Sequence, residues 1–77
     1  MNKYRTKDMP LASYLLCEEI PLVECEKKSN GTSVFVFDKS PALLQLVDRY
    51  FSFKALVNPI LFANATKNLK SIMYRDN

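Results

Sequence analysis

The side chains that most often perform chemistry are scarce in this chain of 77 residues. It has no histidine, the usual general base near neutral pH, and its single glycine is too few for a phosphate-binding loop. Cys17 and Cys25 form no CxxC pair, and neither has an evident base that would activate a thiolate. We therefore predict a protein that is not an enzyme and that holds no metal and no cofactor.

Paired carboxylates occur at two places. Glu18 and Glu19 are adjacent at the end of a predicted helix, so their side chains point apart. Glu24 and Glu26 share one face of a predicted strand, where they could bind a cation or contact solvent. We favour the solvated face, which requires no ligand.

Charge is distributed unevenly along the chain, whose formal net charge is +3. Residues 1–48 contain six Lys or Arg and seven Asp or Glu, whereas residues 49–77 contain five Lys or Arg and one acid. No acidic residue occurs between Arg49 and Arg75. Nothing in this C-terminal part of the chain would therefore repel a phosphate.

The polar residues of the last predicted helix form an exposed stripe, with Lys70 at its flank. The set is Asn64, Lys67, Asn68, Lys70, Ser71 and Arg75. Side chains of these types contact phosphates and base edges, so the stripe predicts a nucleic-acid-binding face. The alternative is a solvated face whose cations favour the helix dipole, and a net charge of +3 is moderate for a nucleic-acid-binding protein.

Local signals in the first half of the chain predict a helix followed by a β-hairpin. Thr6 is the expected N-cap of the helix, which ends at about Glu18 or Glu19. Residues 22–27 and 32–37 have the composition of strands, and Phe35 and Phe37 are expected in the core. Asn30-Gly31 lies between the two strands and favours a type I′ turn.

Two further helices begin with a capping residue followed by proline. Ser40-Pro41 opens the second, and Asn58-Pro59 opens the third, which extends to about Tyr74. Residues 54–57 form a short apolar stretch that could add an edge strand. The expected buried face of the second helix is Leu43, Leu46, Val47, Tyr50 and Phe51. That of the third is Phe62, Ala65 (or Ala63), Leu69, Ile72 and Met73.

Together these elements predict one α+β domain covering residues 1–77, in the order α-β-β-α-β-α, with a small, mostly antiparallel sheet packed on the helices. A domain of this size buries a modest core, so a homodimer is a further possibility. The first apolar run is too short for a signal peptide or a membrane span. We therefore expect a cytoplasmic location and reduced cysteines.

A second hypothesis for function rests on the apolar stretch. Phe51 and Phe53 cannot both face the same core from one helix. If Phe53 is exposed, it forms an apolar patch with Leu56 and Val57. Such an edge would bind a host protein by strand addition or by hydrophobic docking. Docking of this kind is nearly insensitive to salt, whereas nucleic-acid binding weakens steeply as salt rises.

The order of several short motifs resembles a family of small bacterial and phage domains of unknown function. That family opens with the pattern Y-x-T-x-D-x-x-L-A-x-Y-L, which begins at Tyr4 in this chain. The resemblance continues through the hairpin and the two proline-capped helices to residues 69–74. It implies a phage or mobile-element setting and assigns no activity. The family tends to place glycine after the first helix, where this chain has Glu18-Glu19-Ile20-Pro21.

Overall fold

The computed structural model of the protein describes residues 2–75. Its elements are β1 (Lys3–Thr6), α1 (Met9–Cys17), β2 (Leu22–Lys27), β3 (Ser33–Asp38), α2 (Pro41–Phe51) and α3 (Pro59–Met73). The chain forms a single α+β domain in which a three-stranded antiparallel sheet packs on the helices, as predicted. The predicted order was wrong, because the observed order is β-α-β-β-α-α.

The sequence prediction missed the first strand. β1 pairs with β3, so β3 lies at the centre of the sheet in the order β1-β3-β2. Thr6 therefore ends a strand and is not the N-cap of α1, which was the prediction. The N-cap is Asp8, whose carboxylate accepts a hydrogen bond of 3.0 Å from the N–H of Leu11, while its own N–H donates to Thr6 Oγ1.

The predicted edge strand at residues 54–57 is not formed, and these residues are irregular. β3 already has a partner on each side, so a fourth strand could add only at the outer edge of β1 or β2, and residues 54–57 pair with neither. Ala55, which packs against the core, is the one partly buried residue of this stretch. The apolar composition of residues 54–57 therefore serves another purpose than sheet formation.

The hairpin between β2 and β3 is confirmed, but its turn is not type I′. The N–H of Gly31 donates to the carbonyl of Lys28 at 2.9 Å, which places Ser29 and Asn30 at the centre of the turn. Gly31 has φ of +88°, whereas Asn30 does not have positive φ. This matches the hairpin loop in which a turn is followed by a left-handed glycine.

α1 lies at the centre of the domain and is covered on all sides. Residues 11–15 are buried without a break, and at about 100° per residue they point in every direction around the helix. The inner face of the sheet contributes Phe35 and Phe37, which confirms their place in the core. Leu43 of α2 and Leu69 of α3 complete the buried cluster.

Hydrogen bonds at two contacts fix the flanking helices, one to α1 itself and the other to its N-cap residue. Ser13, which is fully buried, shares a 2.8 Å hydrogen bond with the hydroxyl of Thr66 on α3. The hydroxyl of Tyr50 on α2 donates to both carboxylate oxygens of Asp8, at 3.1 and 3.2 Å. Burial, then the hydrogen bond to Asp8, raises the pKa of Tyr50. Because each bond satisfies polar groups at a helix contact, both help to fix how the helices pack.

Candidate functional site

Exposed apolar side chains occur close together in the chain where α2 ends and α3 begins. We call residues 51–61 the apolar segment. Its exposed hydrophobic residues are Phe51, Phe53, Leu56, Val57, Ile60 and Leu61. The most exposed are Phe53 at 96%, Leu56 at 83% and Ile60 at 70%. Isolated exposed hydrophobic residues are ordinary, whereas a run of this kind in a small domain makes the segment a candidate binding surface.

The shape of the domain explains why this segment is open. The molecule measures 35 × 31 × 18 Å, and its short dimension has room for one sheet and one layer of helices. Within residues 2–75 there are three strands and three helices, and the covered central position among them is occupied by α1. Side chains at the helix ends and in the connection between α2 and α3 are therefore left in solvent.

Phe53 is held in place by the hydrogen bonds that end α2. Its N–H donates to the carbonyl of Tyr50 at 3.2 Å, and the N–H of Lys54 donates to the carbonyl of Arg49 at 2.9 Å. These two bonds form a Schellman motif, whose left-handed position is usually occupied by glycine. Phe53 occupies that position with φ of +62°. A left-handed conformation costs about 1–2 kcal/mol for a residue with a Cβ atom.

The end of α1 repeats this arrangement with a different side chain. Glu19 has φ of +66°, and the N–H of Ile20 donates to the carbonyl of Leu15 at 3.0 Å. α1 therefore ends at Cys17, and left-handed backbone follows it at Glu19. Ile20 packs against the core, so the motif at this end also fixes an apolar anchor.

The predicted protein-binding residues Phe53, Leu56 and Val57 are all exposed. Three further exposed members of the apolar segment were missed. Phe51 was assigned to the buried face of α2, yet 60% of its side chain is exposed. Ile60 and Leu61 lie in the first turn of α3, and helical periodicity places Ile60 about 160° around the helix from the half-buried Phe62. The exposure of Ile60 could therefore have been predicted from the helical spacing in the sequence.

The six residues predicted to bind nucleic acid are also all exposed. A cleft of about 450 Å³ separates the end of α1 from the first half of α3. Asn64 and Asn68 line this cleft on α3, and Leu16 and Glu19 line it on the side of α1. The carboxylate of Glu19 disfavours a phosphate at the two asparagines. The predicted stripe is thus open to solvent, with one acidic neighbour that the sequence did not place there.

The cations of the apolar segment and of α3 have no ion-pair partner among residues 2–75. The ion pairs within residues 2–75 join Lys3 to Asp38, and join Arg5 and Lys28 to Glu26. The exposed cations outside these pairs in the C-terminal part are Arg49, Lys54, Lys67, Lys70 and Arg75. Their charges are therefore available to an anionic partner.

Glu26 and Cys17 are ionisable groups whose pKa is shifted by their surroundings within the domain. Glu26 accepts hydrogen bonds from the guanidinium of Arg5 at 3.3 and 3.4 Å, and these bonds, with the charges of Arg5 and Lys28, lower the pKa of Glu26. This pairing disfavours the cation site considered for Glu24 and Glu26. Cys17 is a free, half-buried thiol, and burial followed by the charge of Glu18 raises its pKa.

Residues 2–75 contain no group of three or more potential metal ligands close enough to hold an ion. Within the same range, none of the helices has the length and the apolar character needed to cross a membrane.

Comparison with known protein families gives one match. The model of the family described as "Domain of unknown function (DUF5659)" matches residues 1–75, and the chain therefore belongs to this family. No curated protein and no solved structure matches the chain. Family membership agrees with the resemblance inferred from the motifs, and it assigns neither an activity nor a partner.

Proposed function

We propose that this member of a family without an assigned function is a non-enzymatic protein-binding module, and that it binds its partner through the apolar segment. The observation that carries the proposal is Phe53. Its left-handed backbone is unfavourable for a residue with a Cβ atom, and its side chain is 96% exposed. Phenylalanine at this position therefore contributes nothing to folding that glycine would not provide better.

A partner that covers the ring of Phe53 adds a favourable burial energy that can offset the backbone strain. Full burial of a phenylalanine side chain is worth about 1.5–3 kcal/mol, enough to offset the strain of about 1–2 kcal/mol in the left-handed conformation. Strained residues are known to persist at functional sites for this reason. Phe53 thus has the properties of an aromatic anchor that is pre-positioned by rigid backbone hydrogen bonds.

The mode of binding that the geometry favours is insertion of side chains. Strand addition at residues 54–57, one of the two modes considered from the sequence, is not supported, because these residues form no strand. Leu56 and Ile60 follow Phe53 by three and seven residues, and their side chains are also mostly exposed. Together these side chains suit an apolar groove or helix face on another protein. In the phage or mobile-element setting that the resemblance implies, the partner is a host protein.

The replacement Leu56→Asp tests this proposal. The side chain of Leu56 is 83% exposed, so we expect the free energy of unfolding to change by less than about 0.5 kcal/mol. Binding should be lost, because an aspartate would be desolvated in an apolar contact. The measurement is selection of a displayed random peptide library on the wild-type chain and on the variant. Peptides enriched on the wild type alone support the proposal, and equal enrichment on both proteins would contradict it.

Nucleic-acid binding through α3 is the second candidate, and the exposure of all six predicted residues favours it. We expect such binding to fall steeply between low and physiological salt and to be absent in the variant Lys67→Glu/Lys70→Glu. Titration of labelled duplex and single-stranded DNA measures both effects. No binding at low salt would remove this candidate and would leave the apolar segment as the binding surface.

A further inference from the structure

The partner of the apolar segment can be described by its charge. We infer that it is an acidic amphipathic segment of another protein, whose apolar side chains contact the apolar segment and whose carboxylates contact the cations of α3. This inference rests on the proposed function and adds the chemical class of the partner.

The first argument is that the apolar and basic side chains follow one another along a single face. Lys67 and Ser71 each lie within about 20° of Ile60 around α3, on opposite sides of it, and all three are on the side away from the buried Ala65 and Leu69. Along the axis, Lys67 lies about 10 Å beyond Ile60. One extended or helical segment can therefore contact the apolar end of α3 first and its cations next.

The second argument is the charge around this face. Lys54 follows Phe53 directly, and Arg49 lies in the last turn of α2. These cations, like Lys67 and Lys70, have no ion-pair partner within residues 2–75. Asp48 on α2 directly precedes Arg49, and Glu19 lines the cleft beside α3, but neither carboxylate makes an ion pair within residues 2–75. An acidic partner would neutralise these unpaired positive charges, whereas a basic partner would be repelled by them.

The same charges disfavour the other possible occupants. A second copy of the chain would place its own cations against those of the first, and this repulsion opposes a symmetric dimer. Single-stranded nucleic acid would contact the cations through its phosphates and would stack its bases on aromatic rings. However, most of the exposed apolar residues here are aliphatic, namely Leu56, Val57, Ile60 and Leu61, and these have no ring on which a base could stack.

Two synthetic peptides of about 16 residues provide the test, since that length forms a helix of about 24 Å, enough to span the apolar and basic parts of the face. Both carry the same leucine and phenylalanine residues on one side, and they carry either glutamate or lysine on the other. Fluorescence anisotropy measures their binding to the wild type, to Lys67→Glu/Lys70→Glu and to Leu56→Asp. We expect the glutamate peptide to bind the wild type about tenfold more tightly, as two or three exposed ion pairs would give.

The charge-reversed variant should prefer the lysine peptide, and Leu56→Asp should bind neither. Equal binding of the two peptides to the wild type, lost in Leu56→Asp, would overturn the acidic partner and leave the docking surface intact. Binding of neither peptide, or binding that Leu56→Asp does not weaken, would overturn both the acidic partner and the docking surface.

Two further measurements test the other occupants. Tighter binding of oligo-dT than of the glutamate peptide would mean that the cations bind nucleic acid. A dimer in sedimentation equilibrium that Leu56→Asp dissociates would assign the surface to a second copy.

Discussion

Replacing Phe53 by glycine is expected to stabilise the folded chain by about 1 kcal/mol and to weaken binding of its partner at least about thirtyfold. The stabilisation arises because glycine adopts the left-handed backbone without strain, and glycine's larger entropy in the unfolded state offsets part of that gain. In a domain of this size the midpoint of thermal unfolding should rise by about 4–8 °C. Loss of an aromatic anchor should weaken binding by at least about 2 kcal/mol, or roughly thirtyfold.

Glu19→Gly is the matched control for this experiment. Glu19 occupies the equivalent left-handed position at the end of α1, so the same backbone strain is relieved there. We expect a comparable gain in stability without the loss of binding, because Glu19 lies outside the apolar segment. Thermal unfolding and the glutamate peptide measure both properties in both variants. If Phe53→Gly lowers the unfolding midpoint, the ring supports the fold and the central argument for a docking surface fails.

The features of the fold that the sequence predicted correctly are those with strong local signals. Ser40 caps α2 and Asn58 caps α3, each through a side-chain oxygen that accepts backbone N–H groups, as the serine–proline and asparagine–proline pairs indicated. The hairpin between β2 and β3 was recognised from Asn30-Gly31 for the same reason. These elements depend on contacts between residues close together in the chain, which a single sequence specifies well.

The features it missed depend on distant contacts. β1 has four residues, of which Lys3 and Arg5 face outward, and it is a strand because β3, about 30 residues later, provides hydrogen-bonding groups and a buried face. Residues 54–57 have better strand composition, but no edge of β3 is left for them. Composition alone therefore ranked these two segments in the wrong order.

Part of the candidate surface was visible in the sequence as well. Phe53, Leu56 and Val57 were selected because the helical pattern ends before them, whereas Phe51 needed knowledge of which side of α2 is covered. Another signal was available and was not used. The chain has one glycine, which the hairpin occupies, so any helix that ends in a Schellman motif must place another residue in the left-handed conformation. α1 and α2 both do so.

The largest effect on stability is expected from Phe37→Ala. Phe37 is fully buried at the centre of the sheet and packs against the cluster that surrounds α1. Its truncation should lower the free energy of unfolding by about 3–5 kcal/mol, a large share of the stability of a domain of this length. Urea unfolding followed by circular dichroism measures the change, and Phe37→Leu provides a milder variant if the alanine variant does not fold.

Phe53→Ala is the matched comparison, because it removes the same atoms from an exposed site. We expect it to change the free energy of unfolding by less than about 0.5 kcal/mol, since the ring buries almost no surface and alanine shares the left-handed strain. Similar losses from the two variants would mean that Phe53 is covered in solution. A large loss at Phe37 and none at Phe53 would separate an aromatic residue that folding requires from one that only a partner can use.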